Sequence, residues 1–192
     1  MTALILGLIL FLGVHSTRII AEDWRSARRA AIGENAWKLG YTAISLLGFA
    51  LIIWGFGQAR QDALVLWATP RGMNHLAALL MLLSLVLLVA AYVPHNHLKA
   101  RLGHPMLLGV KVWALAHLLA NNTLPELLLF GGFLIWSVLC FRSARQRDRL
   151  NPPAAITPRI GATLLTVLIG AALWALFAFW AHALLIGVRP LG

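Results

Sequence analysis

Two histidines, His15 and His117, lie inside apolar stretches long enough to cross a membrane. In hydrocarbon an imidazole has no water to bond, so it faces the bundle interior and either finds a hydrogen-bond partner or holds a ligand. Two neutral imidazoles from facing helices hold a haem iron axially, with the flat macrocycle filling an apolar gap between them. No CxxCH motif is present and the single cysteine, Cys140, sits in an apolar run. A haem here would therefore be non-covalent, and no intrachain disulfide can form.

The residues around each histidine sharpen its reading. Trp113, His117 and Asn121 are spaced by four, which places an indole, an imidazole and an amide along one helical face. The competing role for His117 is a hydrogen bond to a neighbouring carbonyl that only fixes helix packing. On the first segment Gly7 and Gly13 precede His15, Ser16 and Arg18. Gly13 is expected to admit a neighbouring backbone or a flat ligand, the plainer role of such small residues being helix packing. Lys111 reads as a snorkelling anchor. His95, His97 and His104 fall in one loop with no neighbouring acid or cysteine in sequence, so that loop reads as solvated. His182, beside Trp180, reads as an interfacial residue, and the tryptophans at span ends read as an aromatic belt.

These side chains need elements to position them. The chain has 192 residues, 60% hydrophobic and 11% charged, with a mean hydropathy of +0.82. A soluble domain carries about 25% charged residues, so this chain is solvated by lipid. Spans of about 20 apolar residues can be drawn at Thr2 to Ile20, Trp37 to Phe56, Met73 to Val93, Pro105 to Ala120, Leu124 to Phe141 and Ile160 to Val188. The expected fold is an all-α, polytopic membrane helical bundle of about six transmembrane helices. The net charge of +10 comes from sixteen basic residues, thirteen of which follow spans one, three and five. The positive-inside rule turns those loops to the cytoplasm and both termini outside, and removes any need for nucleic acid as a partner. Residues 1–142 then form a five-helix unit, 143–158 a basic, proline-containing cytoplasmic linker and 159–192 the sixth helix with the C-terminal end. In that topology His15 lies nearer the cytoplasm and His117 nearer the outside, roughly 10 Å apart in depth at about 1.5 Å per residue. Asn121, Asn122 and Thr123, followed by Pro125, read as a tight hairpin between spans four and five. The six acids lie in loops or at helix ends, and neither GxSxG nor HExxH occurs, so a hydrolase site is not expected.

Several blocks resemble the NnrU family of bacterial membrane proteins: Gly13-Val14-His15-Ser16 with Arg18, Gly33-Glu34, Trp37-Lys38, Tyr92-Val93-Pro94, His104-Pro105, the stretch from Lys111 to Asn121, and Phe130-Gly131-Gly132-Phe133. More distantly the chain is similar to the 15-cis-zeta-carotene isomerase. The first resemblance implies a multi-pass protein of the bacterial inner membrane associated with nitrite and nitric oxide metabolism, with nitrogen-oxide reductase components as partners. The second implies haem b held by His15 and His117. The isomerase's alternative cysteine ligand falls on Ala114, which cannot coordinate, and this favours a fixed bis-histidine site over ligand exchange. The segment from Lys99 to Gly109 also resembles part of a membrane methyltransferase motif, but Gly103 and Leu107 replace its arginine and tyrosine. The leading expectation is a haem-binding NnrU-type protein with Trp113 and Asn121 beside the ligands. The alternatives are a carotenoid cis-trans isomerase, a non-catalytic membrane scaffold and, as a minor reading, a methyltransferase.

Overall fold

Each long apolar run forms one helix and stops where the sequence changes character. The computed structural model describes residues 1–191. Its helices are α1 (Thr2–Ile20), α2 (Glu22–Ile32), α3 (Glu34–Ala59), α4 (Met73–Tyr92), α5 (His97–Leu102), α6 (Pro105–Ala120), α7 (Leu124–Leu150) and α8 (Ile160–Leu176). One π turn, Phe177–Ala181, then leads from α8 into α9 (His182–Ile186). Five stretches are long and apolar enough to cross a bilayer: α1, α3, α4, α7 and the α8–α9 run. The apolar α6 has 16 residues, so it spans about 24 Å at 1.5 Å per residue. The protein is thus an all-helical, multi-pass membrane bundle.

Two segments differ from the sequence expectation. The run after the first span, expected as a loop, is the helix α2, because nothing breaks it before Gly33 and its charges suit the ends: Glu22 and Asp23 in the first turn, Arg29 in the last. Residues 143–150, expected as linker, are instead the last two turns of α7, which ends only at Asn151 before Pro152 and Pro153. At its other end α7 starts on a capping box, with Thr123 and Glu126 satisfying each other's backbone N–H groups.

Small residues set the helix contacts. α1 crosses α3 so closely at Gly7 that a Cβ there would lie 2.7 Å from the Ile52 nitrogen, and one at Gly48 would lie 2.8 Å from the Phe11 nitrogen. α4 meets α6 at Gly109, whose carbonyl accepts a 2.8 Å hydrogen bond from the buried Ser84 hydroxyl. α8 lies on α4, with Gly170 against Val86 and the Trp174 indole N–H donating to the Ala78 carbonyl at 2.8 Å. α7 packs against both α1 and α6. The core cluster of Leu4, Ile52, Ala114, Leu129 and Phe130 joins these layers.

One end of the bundle carries α2, α5 and the basic end of α7, and here the connection to α8 is tied down. The Arg159 N–H donates to the His95 carbonyl at 2.7 Å, and the His97 N–H donates to the Thr163 hydroxyl at 3.0 Å. At the other end the 60–72 loop is laced to the α6–α7 turn, with the Leu66 N–H donating to the Asn122 carbonyl and the Leu124 N–H to the Leu64 carbonyl. Arg60 donates to the Ile186 carbonyl at 2.9 Å, which brings α9 to the end of α3.

Candidate functional site

His15 sits just over one turn before the end of α1. Its Nδ1 lies 2.6 Å from the Phe11 carbonyl one turn back, so Nδ1 is the donor and Nε2 is the ring nitrogen left for another partner. The ring stacks on Phe11 at 4.3 Å and meets the edges of Tyr41 at 5.2 Å and Trp136 at 6.2 Å. It lines a cleft of about 330 Å³ between α1, α2 and α3, together with Arg18, Arg25, Arg29, Glu34, Lys38 and Tyr41. Glu34 takes Arg29 at 3.0 Å and Lys38 at 2.8 Å, while Arg25 takes Glu22 at 2.8 Å. Arg18 has no carboxylate partner among the described residues, so the cleft remains cationic. Beside it, the buried indole N–H of Trp136 has no acceptor among the described residues.

His117 occupies a different setting. Its Nδ1 is 2.9 Å from the Trp113 carbonyl, its ring stacks on Phe130 at 4.4 Å, and the Trp113 ring lies 5.4 Å away. The Asn121 amide donates to the His117 carbonyl at 2.8 Å. Trp113, His117 and Asn121 therefore share one face, as their spacing required, and that face is filled by α7.

The two imidazoles are not brought together. The path from one to the other runs from His15 through the rings of Phe11, Phe133 and Trp113 to His117, at steps of 4.3, 5.8, 5.4 and 5.4 Å. Their partners on α7, Trp136 and Phe130, are six residues apart, or about 9 Å along the helix. The expected axial pair thus becomes two separate sites, because α1 and α6 run in opposite senses and their histidines fall near opposite ends. A haem clamped between His15 and His117 does not fit this packing. A haem held by His15 alone does fit the donor set. Tying Nδ1 to a carbonyl is what orients an imidazole ligand, and a cationic rim suits propionates.

Other expectations are revised. Gly13 faces open space, with nothing within 4 Å of an added Cβ, and the close approach belongs to Gly7. His104 is half-buried and paired; its Nε2 is 2.8 Å from Asp148 Oδ2, an acid contributed by the far end of α7 and invisible as a neighbour in sequence. His95 and His97 are likewise engaged, Nδ1 of His97 lying 2.8 Å from the Thr163 hydroxyl and Nδ1 of His95 lying 3.2 Å from the Thr157 carbonyl. Lys111 places its ammonium 3.8 Å above the Phe141 ring. His182 is at a helix end, with Nδ1 2.7 Å from the Val188 carbonyl. Tyr41 and Trp136 were missed as neighbours of His15. Nothing local singles them out, since aromatic residues are common throughout such helices.

The profile of a family described as NnrU protein matches residues 3–190. No curated protein and no solved structure matches the chain.

Proposed function

Because the chain belongs to the NnrU family, we propose that it is a multi-pass membrane protein that binds haem b through His15 and supports nitrogen-oxide metabolism. In this reading the protein lies in the inner membrane of a bacterium, and the distribution of Lys and Arg supports a cytoplasmic position for the basic end. The observation that carries the proposal is the ligand-ready Nε2 of His15 on a cationic cleft at that end. Arg18, Arg25, Arg29 and Lys38 would oppose the two propionates, and the Trp37 and Tyr41 rings would wall the apolar part of the macrocycle. When bound, the haem supplies one-electron chemistry and an iron that takes nitric oxide as a ligand. His117 keeps a packing role against Phe130. Ala114, fully buried in the core, has no atom able to ligate iron, which counts against ligand exchange of the isomerase type.

The test is the visible spectrum of detergent-purified protein supplied with haemin, oxidised and then reduced. The wild type and His117→Ala should show a Soret band that His15→Ala lacks. Absence of the band from the wild type would refute haem binding, and its loss from both variants would restore the paired-histidine arrangement.

A further inference from the structure

α2 has eleven residues and buries none of them. An isolated helix of this length is marginal in water, and the bundle touches α2 on one side only, through the Arg29–Glu34 ion pair at 3.0 Å and the Trp24–Trp37 ring contact at 5.9 Å. Its position says what meets the other side. α1 ends at Ile20 and α3 begins at Glu34, both long enough to span a bilayer, so α2 is held along the membrane boundary.

The faces of α2 divide by the helical period. Arg25 and Arg29 turn toward the cleft, while Ala27 and Ala31 collect on the opposite side, flanked by Arg28 and by Trp24, whose ring meets the edge of Trp37 at 5.9 Å. Trp24 is 51% exposed, and the flanking Ile20 and Ile32 are 81% and 53% exposed. Arg18 and Arg28 have no carboxylate partner among the described residues, whereas Arg25 and Arg29 pair with Glu22 and Glu34. Apolar surface that the protein leaves half uncovered thus stands beside the unpaired guanidinium of Arg28 at a membrane boundary.

We infer that α2 is a surface helix that docks on anionic phospholipid, with Trp24, Ala27 and Ala31 entering the headgroup boundary and Arg28 meeting a lipid phosphate. An apolar face laid into the interface, together with attraction to anionic headgroups, is the physics of such helices. The consequence reaches the cleft, because α2 supplies its third wall through Arg25 and Arg29. Lipid composition therefore sets how firmly that wall stands, independently of whether the cleft holds haem.

Amide hydrogen exchange of the full chain in vesicles tests this directly, comparing phosphatidylcholine alone with phosphatidylcholine carrying about one-third phosphatidylglycerol. The free guanidinium of Arg28 predicts exchange at 22–32 slowed about fivefold by the anionic lipid, and a loss of most of that effect at high salt. Arg28→Gln should weaken the slowing and Ala27→Glu should abolish it, while exchange in α3, α4 and α7 stays unchanged and reports an intact bundle. Equal protection in both lipids would mean that the protein itself holds α2. Absence of protection in both would mean that α2 needs some other partner. Either result overturns the inference.

Discussion

Replacing Gly7 by alanine tests whether the α1–α3 seam is as close as the structure places it. The added Cβ would sit 2.7 Å from the Ile52 nitrogen and 2.9 Å from the Gly48 oxygen. Both are backbone atoms of α3 and cannot rotate aside, so ordinary contact at 3.4 Å or more requires the helices to part by about 0.7 Å. Overpacking of this kind costs about 1–3 kcal/mol. Alanine also gains about 0.5–1 kcal/mol of helix propensity over glycine, which masks part of that cost. Gly13→Ala supplies the correction, because its Cβ meets nothing within 4 Å and it shares the same propensity gain. The difference between the two variants should therefore be the overpacking cost itself, about 1–3 kcal/mol, with Gly7→Ala the less stable. Unfolding in detergent micelles on titration with sodium dodecyl sulfate, followed by tryptophan fluorescence and helical circular dichroism, measures it. Equal midpoints for the two alanines would refute the close crossing and the position of the cleft walls that depends on it.

Two further outcomes concern the other seams. Ser84→Ala removes the hydroxyl that α4 donates to the Gly109 carbonyl of α6, and should cost about 0.6–1.7 kcal/mol in the same titration; an unchanged midpoint would mean that the bond adds nothing in the membrane. Trp174→Phe keeps a ring but loses the N–H that α8 donates to Ala78. It should loosen α8 by about 1 kcal/mol and speed proteolysis in the 151–159 connection, and a cleavage rate equal to wild type would count against that bond as the clasp.

Much of the fold is legible in the sequence because a membrane imposes a coarse rule, one apolar run for each helix. Thr2–Ile20 and Pro105–Ala120 emerge with the ends their flanking residues dictate. α2 was not legible, since an eleven-residue run of Arg, Ala and acids reads equally as a basic loop until the spans on either side fix its place. The end of α7 is hard to read because its charge resembles a linker, while the first helix breakers come only at Asn151 and the prolines after it. At the site, helical spacing correctly grouped Trp113, His117 and Asn121. It could not show that Phe133 and Trp113 lie between the two histidines, or that Asp148 reaches His104, because those are contacts between helices whose order around the bundle the sequence does not state. The depth difference between His15 and His117 follows from the topology that the sequence implies, and the structure places the two rings near opposite ends of the bundle accordingly.

The central claim is that one imidazole, His15, is the axial ligand. Electron paramagnetic resonance of the oxidised, haem-loaded protein tests it most directly, because one histidine leaves the ferric iron in a weak field and two histidines impose a strong one. A high-spin signal that persists in His117→Ala and disappears with the haem in His15→Ala is the predicted result. A low-spin bis-imidazole signal that requires both His15 and His117 would contradict the account.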